Sequence, residues 1–166
     1  MNALFNVFTG ILRLRNGPQD LPSSWTICLA LAAAYLMLGI FTGQRLGDDD
    51  SAAASLAVTA LQFTAVAVML AIRKYPERLP QTLSALAGVG VVFTILSFMF
   101  LSQADPDKQQ PVLAMAWFAI FFWSLVVDAH IYKNALSITR AQGMLIAVLL
   151  LAGSYVLIEF AFKQAG

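Results

Sequence analysis

Charge is what this sequence has least of. Of 166 residues only 11% are charged, ten basic and nine acidic, for a formal net charge of +1, whereas a soluble domain carries about a quarter. With no basic excess there is no electrostatic surface for nucleic acid, and with no acidic excess no solvating tail. The single cysteine, Cys28, lies inside an apolar stretch; this excludes an intrachain disulfide and a thiolate zinc site, and leaves a small packing group. The single histidine, His130, cannot supply two axial haem ligands. The sequence has no glycine-rich phosphate loop and no G-x-S-x-G elbow, and His130 stands two residues from its nearest acid, Asp128, too close along one helix for the usual serine relay. The adjacent acids Asp48 to Asp50 lack the spaced oxygen ligands and turn glycine of a calcium loop and read as a helix cap. No catalytic residue, metal or cofactor is therefore expected.

What the chain has in quantity is hydrocarbon. Sixty per cent hydrophobic residues and a mean hydropathy of +0.76 indicate a membrane protein. Leu21 to Gln44 is a run of 24 uncharged residues, and about 20 residues rising 1.5 Å each cross a ~30 Å hydrocarbon core. Further runs cover 51–72, 79–104, 109–127 and 141–158. Separating them are turn residues: Gly47 with its aspartates, Pro76 and Pro80, then Asp105 to Pro111. None of the runs alternates apolar and polar residues, which excludes a barrel. The expected fold is all-α, a polytopic bundle with spans at about 24–43, 52–72, 81–103, 111–132 and 141–161 within a transmembrane domain of 21–166. Residues 1–20 precede it. There Leu4, Phe5, Phe8, Ile11 and Leu12 recur at helical spacing opposite Asn2, Asn6, Thr9 and Arg13, in a stretch too short to span, which predicts an amphipathic helix lying in the interface. No charged leader or small-residue cleavage site marks a signal peptide.

Lysine and arginine in short loops set orientation. With a cytoplasmic N-terminus, Arg13, Arg15, Arg73, Lys74, Arg78, Lys133 and Arg140 fall inside, against Arg45, Lys108 and Lys163 outside. The expectation is N-terminus in, C-terminus out.

Within the spans, small residues at spacing four mark contact faces: Gly39 with Gly43, Ser84 with Gly88, and the ladder Ala53, Ala57, Ala60, Thr64, Ala67, Ala71. These bring helices of one chain together, with a homo-oligomer left open. Gln62, midway along the second span, needs a hydrogen-bonding neighbour. Glu159 is four residues before Lys163, a spacing that pairs them on a helix surface. Trp117 and Trp123 lie too far inside the fourth span to be belt residues at both ends, so at least one packs between helices.

The fourth span ends in WSLVVDAHIYKNALS, from Trp123 to Ser137. Asp128, His130, Tyr132 and Lys133 form the one polar cluster attached to a membrane helix. Asp128 and Tyr132 share a face, as do His130 and Asn134. Asp128 lies about 25 Å along the helix from Pro111, near the cytoplasmic edge of the core. A polar helix end, solvated and satisfied by loops or by Arg140, is the expected role, with a proton relay or head-group site as the sharper one.

The strip with Trp123, Ser124, Leu125, His130, Ala135 and Leu136, together with five spans and an amphipathic N-terminal segment, resembles bacterial members of the YIP family, the Ypt/Rab-interacting-protein-like membrane proteins. The resemblance implies a non-catalytic adaptor, scaffold or accessory subunit of a bacterial inner membrane, with a membrane or cytoplasmic protein partner. Two other functions stay open: a small oligomeric transporter or channel using Gln62 and the Asp128 and His130 end of the fourth span, and a membrane enzyme using Asp128, His130 and Tyr132. A wet cavity reaching Gln62 and the Asp128 and His130 end distinguishes transport from the rest, and a Gln62 sealed in a dry bundle excludes it.

Overall fold

Away from water every backbone amide must be bonded within its own segment, so each apolar run closes into a helix and each cluster of turn residues ends one. The computed structural model describes residues 2–47, 50–105 and 108–163. It contains α1 (Asn2–Leu12), α2 (Trp25–Arg45), α3 (Ser51–Ile72), α4 (Leu79–Leu101), α5 (Pro111–Leu136) and α6 (Arg140–Ile158), with short 3-10 turns at Pro18–Asp20 and Pro76–Arg78 and a π-helical turn at Glu159–Lys163. The chain is 84% helical with no strand among the described residues, and α2 to α6 are each long and apolar enough to cross a membrane. The all-α helical bundle expected from the sequence is what forms. Asp48, Asp49, Asp107 and the side chain of Lys163, the expected partner of Glu159, lie outside the described residues.

The caps follow from local chemistry. The Ser24 hydroxyl accepts from the amide of Ile27 at the start of α2, and Thr139 with Gln142 forms a reciprocal capping box on α6. Proline opens α5 at its first position, where no amide is needed. At the other ends, α1, α3 and α5 turn through left-handed residues that are not glycine: Leu14 (φ 59°), Lys74 (φ 63°) and Ser137 (φ 53°). All three lie at the end of the bundle that holds Arg73, Arg78 and Arg140, called here the basic end.

Packing is dense at the basic end and loosens away from it. On α4 the buried residues run from Pro80 to Val89, with Phe93 the last; on the antiparallel α5 they run from Val127 to Leu136. One core joins Cys28, Val66, Leu70, Leu83, Tyr132 and Ala147; a second joins Ile11 and Leu21 to Ala85, Val89, Val127 and Ile131. Large apolar side chains such as Met37, Ile72, Val112 and Phe122 point outward, as lipid contact allows.

α1 is the amphipathic helix at the N-terminus, and protein covers part of its apolar face, leaving Phe5 exposed. Ile11 is completely buried, and Phe8 lies against Gly88, nine residues or about 14 Å along α4. The helix is seated against α4 and α5.

The small residues meet several neighbouring helices. Gly39 faces Ser55, and Gly43 faces Ser51, which seats α3 on α2. Ser84 meets Cys28 of α2, whereas Gly88 receives the ring of Phe8 from α1. The alanine ladder does not form a contact face: Ala53, Ala60, Thr64 and Ala71 are exposed, because α3 turns Ser51, Val66 and Leu70 inward instead. α5 and α6 approach closely at Gly143, where an added β-carbon would sit 2.4 Å from the backbone oxygen of Ala129.

Candidate functional site

The polar cluster on α5 is split by the helix into two unconnected surroundings. His130 faces the N-terminal segment. Its Nε2 donates to the carbonyl of Asn16 at 2.9 Å. That leaves the Asn134 amide, 3.0 Å from the same nitrogen, to donate to the backbone carbonyl of His130 at 2.8 Å. Asn16 is itself held, since its amide and the backbone amide of Gly17 both donate to the Asp20 carboxylate, at 3.0 and 2.9 Å. A cavity of about 130 Å³ beside His130 is lined by Leu14, Val126, Ala129, Arg140 and Met144. Tyr132 is buried in the larger core, and Lys133 is half-buried on the flank. The loop thus satisfies His130, and the cations that close the helix end are Arg73 and Arg78 rather than Arg140. Arg73 donates to the carbonyls of Leu136 and Ser137, both at 3.3 Å, and Arg78 to the carbonyl of Ala135 at 3.0 Å and the Ser137 hydroxyl at 3.1 Å. Two guanidinium groups thereby close the carbonyls that any helix leaves open at its C-terminus.

Asp128 faces elsewhere. It lines a cavity of about 250 Å³ between α2, α4 and α5, with Tyr35, Thr42, Thr94, Ser97 and Ser124 as its polar neighbours and Val89, Phe93, Phe98, Leu46 and Leu101 as its apolar ones. Leu46 and Leu101 mark the ends of α2 and α4 remote from the basic end, and Tyr35 is 11 residues before Leu46, about 17 Å down the helix. The cavity is therefore a cleft entered where packing loosens, with the carboxylate and Tyr35 near its floor. No lysine or arginine lines it, and among the described residues none donates a hydrogen bond to Asp128. Tyr35 lines the same cavity, and Tyr132 lies one turn on from Asp128 along α5.

Behind Tyr35 lies a second cavity of about 230 Å³, reached by Gly39, Gly43, Ser51, Ser55 and Thr59 from α2 and α3; Tyr35 and Thr94 line both cavities. Gly90 of α4 makes room for the ring. Gln62, half-buried on α3, lines neither cavity, so it is not brought to Asp128, and Glu159 is half-buried near the C-terminal end of α6.

The residues that sequence reasoning passed over are Tyr35, Thr42, Thr94, Ser97 and Ser124. Their signal was periodic: Tyr35 and Thr42 are seven apart, Thr94 and Ser97 three, Ser124 and Asp128 four. Each pair is one polar stripe on an otherwise apolar helix, and the three stripes converge.

Compared with known protein families, curated proteins and solved structures, the chain matches none. The reading of the site rests on its own geometry.

Proposed function

We propose that the chain is a small multi-pass membrane protein that binds a cationic solute at Asp128, as a carrier or receptor open to one side of the bilayer. The observation that carries this reading is the carboxylate lining a hydroxyl-rich cleft with no basic residue among its lining. An ionisable side chain inside a span is costly to keep there, and a site that neutralises it only when filled gives that cost a use. With the N-terminus cytoplasmic, the cleft opens to the periplasmic face of a bacterial inner membrane. Gln62 and His130 have no part in it.

Substituted-cysteine labelling tests the reading. In a Cys28→Ser background, a cysteine at Ser97 reacts with a cationic, membrane-impermeant thiol reagent added from one side, and Asp128→Asn slows that reagent at least threefold while leaving a neutral one unchanged. Equal rates with and without the carboxylate, or no labelling from either side, reject it.

The adaptor role implied by the YIP resemblance is a second reading, favoured by one observation. Arg13, Arg15, Lys74 and Arg140 are all exposed at the basic end, where a protein or an anionic lipid surface would meet them. Co-purification from mild detergent that survives Asp128→Asn and is lost when these four are replaced by glutamine supports it; unchanged co-purification in the second variant rejects it.

A further inference from the structure

The cleft also restricts which cation it takes. We infer that its ligand is a small organic ammonium ion, its charged nitrogen held between Asp128 and the aromatic rings and its alkyl groups against the apolar walls. The inference rests on the reading of Asp128 as a cation site.

Three observations on the cleft converge. The first is size. About 250 Å³ is room for about eight water-sized groups at ~30 Å³ each. That is far more than one bare metal ion fills and below the ~300 Å³ at which drug-sized pockets begin. The second is the donor set. One carboxylate with scattered hydroxyls offers a single formal negative charge, and among the described residues no group of three or more His, Cys, Asp or Glu side chains gathers at any point. A divalent ion, which takes six to eight oxygens and usually several carboxylates, is poorly served; a monovalent charge is neutralised. The third is the wall. Tyr35, Phe93 and Phe98 place aromatic rings along the same cleft as the carboxylate, and Phe98 is fixed edge-on against Phe41 with ring centroids 6.0 Å apart. Ring faces attract an alkylated ammonium in a desolvated site, where the gain reaches ~2 kcal/mol, while a metal ion would have to give up its water to benefit.

No basic residue lines the cleft to compete for the carboxylate. Arg45, at the end of α2, has its guanidinium on the outer ring, 5.3 Å from the centroid of Phe41, and it is absent from the cleft lining. Thr94 and Ser97 supply hydroxyls able to accept from an N–H, so primary to tertiary amines fit as well as quaternary ones.

Equilibrium binding to the purified full-length protein in mild detergent provides the test, with tetramethylammonium and tetraethylammonium as probes, tetrabutylammonium as an oversized one, tert-butanol as a neutral isostere, and sodium ion alone. The expected result is saturable binding of the two smaller ammonium ions and none of tetrabutylammonium or tert-butanol. Asp128→Asn weakens binding at least tenfold and Phe98→Leu three- to tenfold, and both variants melt within a few degrees of the parent. Sodium binding that depends on Asp128, without ammonium binding, overturns the ligand class and keeps the cation site. Binding of neither cation, or equal binding of tert-butanol, overturns both. Ammonium binding undiminished in Asp128→Asn and Phe98→Leu places it outside the cleft and also overturns the inference.

Discussion

Gly90 of α4 and Tyr35 of α2 are in direct contact: a β-carbon at Gly90 would come 2.7 Å from Cε2 of the ring. Only glycine lets the phenol lie against α4 at this depth, and there the ring is shared by the Asp128 cleft and the cavity behind it. Tyr35 is thus a partition as well as a lining residue. Its replacement by alanine is expected to join two spaces of about 250 and 230 Å³ and to admit tetrabutylammonium, which the parent excludes. Competition binding between the two sizes of ammonium ion checks this, and an unchanged size limit would show that the wall lies elsewhere.

The end of α5 is held by Arg78. Beyond its bonds to Ala135 and Ser137, the guanidinium packs on Tyr75, 4.1 Å from the ring centroid. Hydrogen bonds to charged groups contribute about 1.5–3 kcal/mol each, and this one is half-buried. Arg78→Ala is expected to destabilise the protein by roughly 2 kcal/mol, read as a lower melting midpoint in detergent. Arg78→Lys is expected to recover only part, because an ammonium cannot reproduce the planar fork or the stacking.

His130 anchors a segment, so its loss should free that segment. Without the bond to Asn16, the stretch after α1 keeps the Gln81 amide, which donates to the carbonyls of Gln19 at 3.3 Å and Leu21 at 2.6 Å, and the packing of Leu14 and Leu21. Arg13 and Arg15 are exposed. In His130→Ala, trypsin is expected to cleave after Arg15 several-fold faster than in the parent, with ammonium binding unaffected. Binding lost together with protection would contradict the separation of the two surroundings on α5.

Lys74 is exposed and adopts φ 63°, a conformation that costs a side-chain-bearing residue about 1 kcal/mol. Lys74→Gly is expected to raise stability by up to ~1 kcal/mol, whereas Gly143→Ala, forced against the Ala129 carbonyl, is expected to lower it by about 1–3 kcal/mol. Melting midpoints of the two variants should move in opposite directions.

The helices were legible because each rests on a run of hydrocarbon and a cluster of breakers, both local properties. The contacts of Gly39 and Gly43 were legible too, since spacing four on one helix states that a partner comes close. The partner of Gly88 and the exposure of the alanine ladder were not legible: a smooth face says that a neighbour could pack there, and which neighbour does is decided by the whole bundle. Of the candidate site, Asp128 was visible as the acid of a polar cluster near the end of a span. Its setting was not, because Tyr35, Thr94, Ser97 and Ser124 are each unremarkable within an apolar run and gain meaning only when α2, α4 and α5 bring three stripes together. His130 illustrates the converse. Two residues from Asp128 in sequence, it is turned about 200° around the helix and serves the fold.

The most direct test of Asp128 as the anchor of a cation site is its protection from a lipophilic carbodiimide, which adds to carboxyl groups in apolar surroundings. Peptide mapping of the full-length protein is expected to find the adduct on Asp128, with its yield falling at least fivefold in saturating tetraethylammonium and unchanged in tert-butanol. An Asp128 that is unmodified, or one modified to the same extent with and without the ammonium ion, would contradict the account.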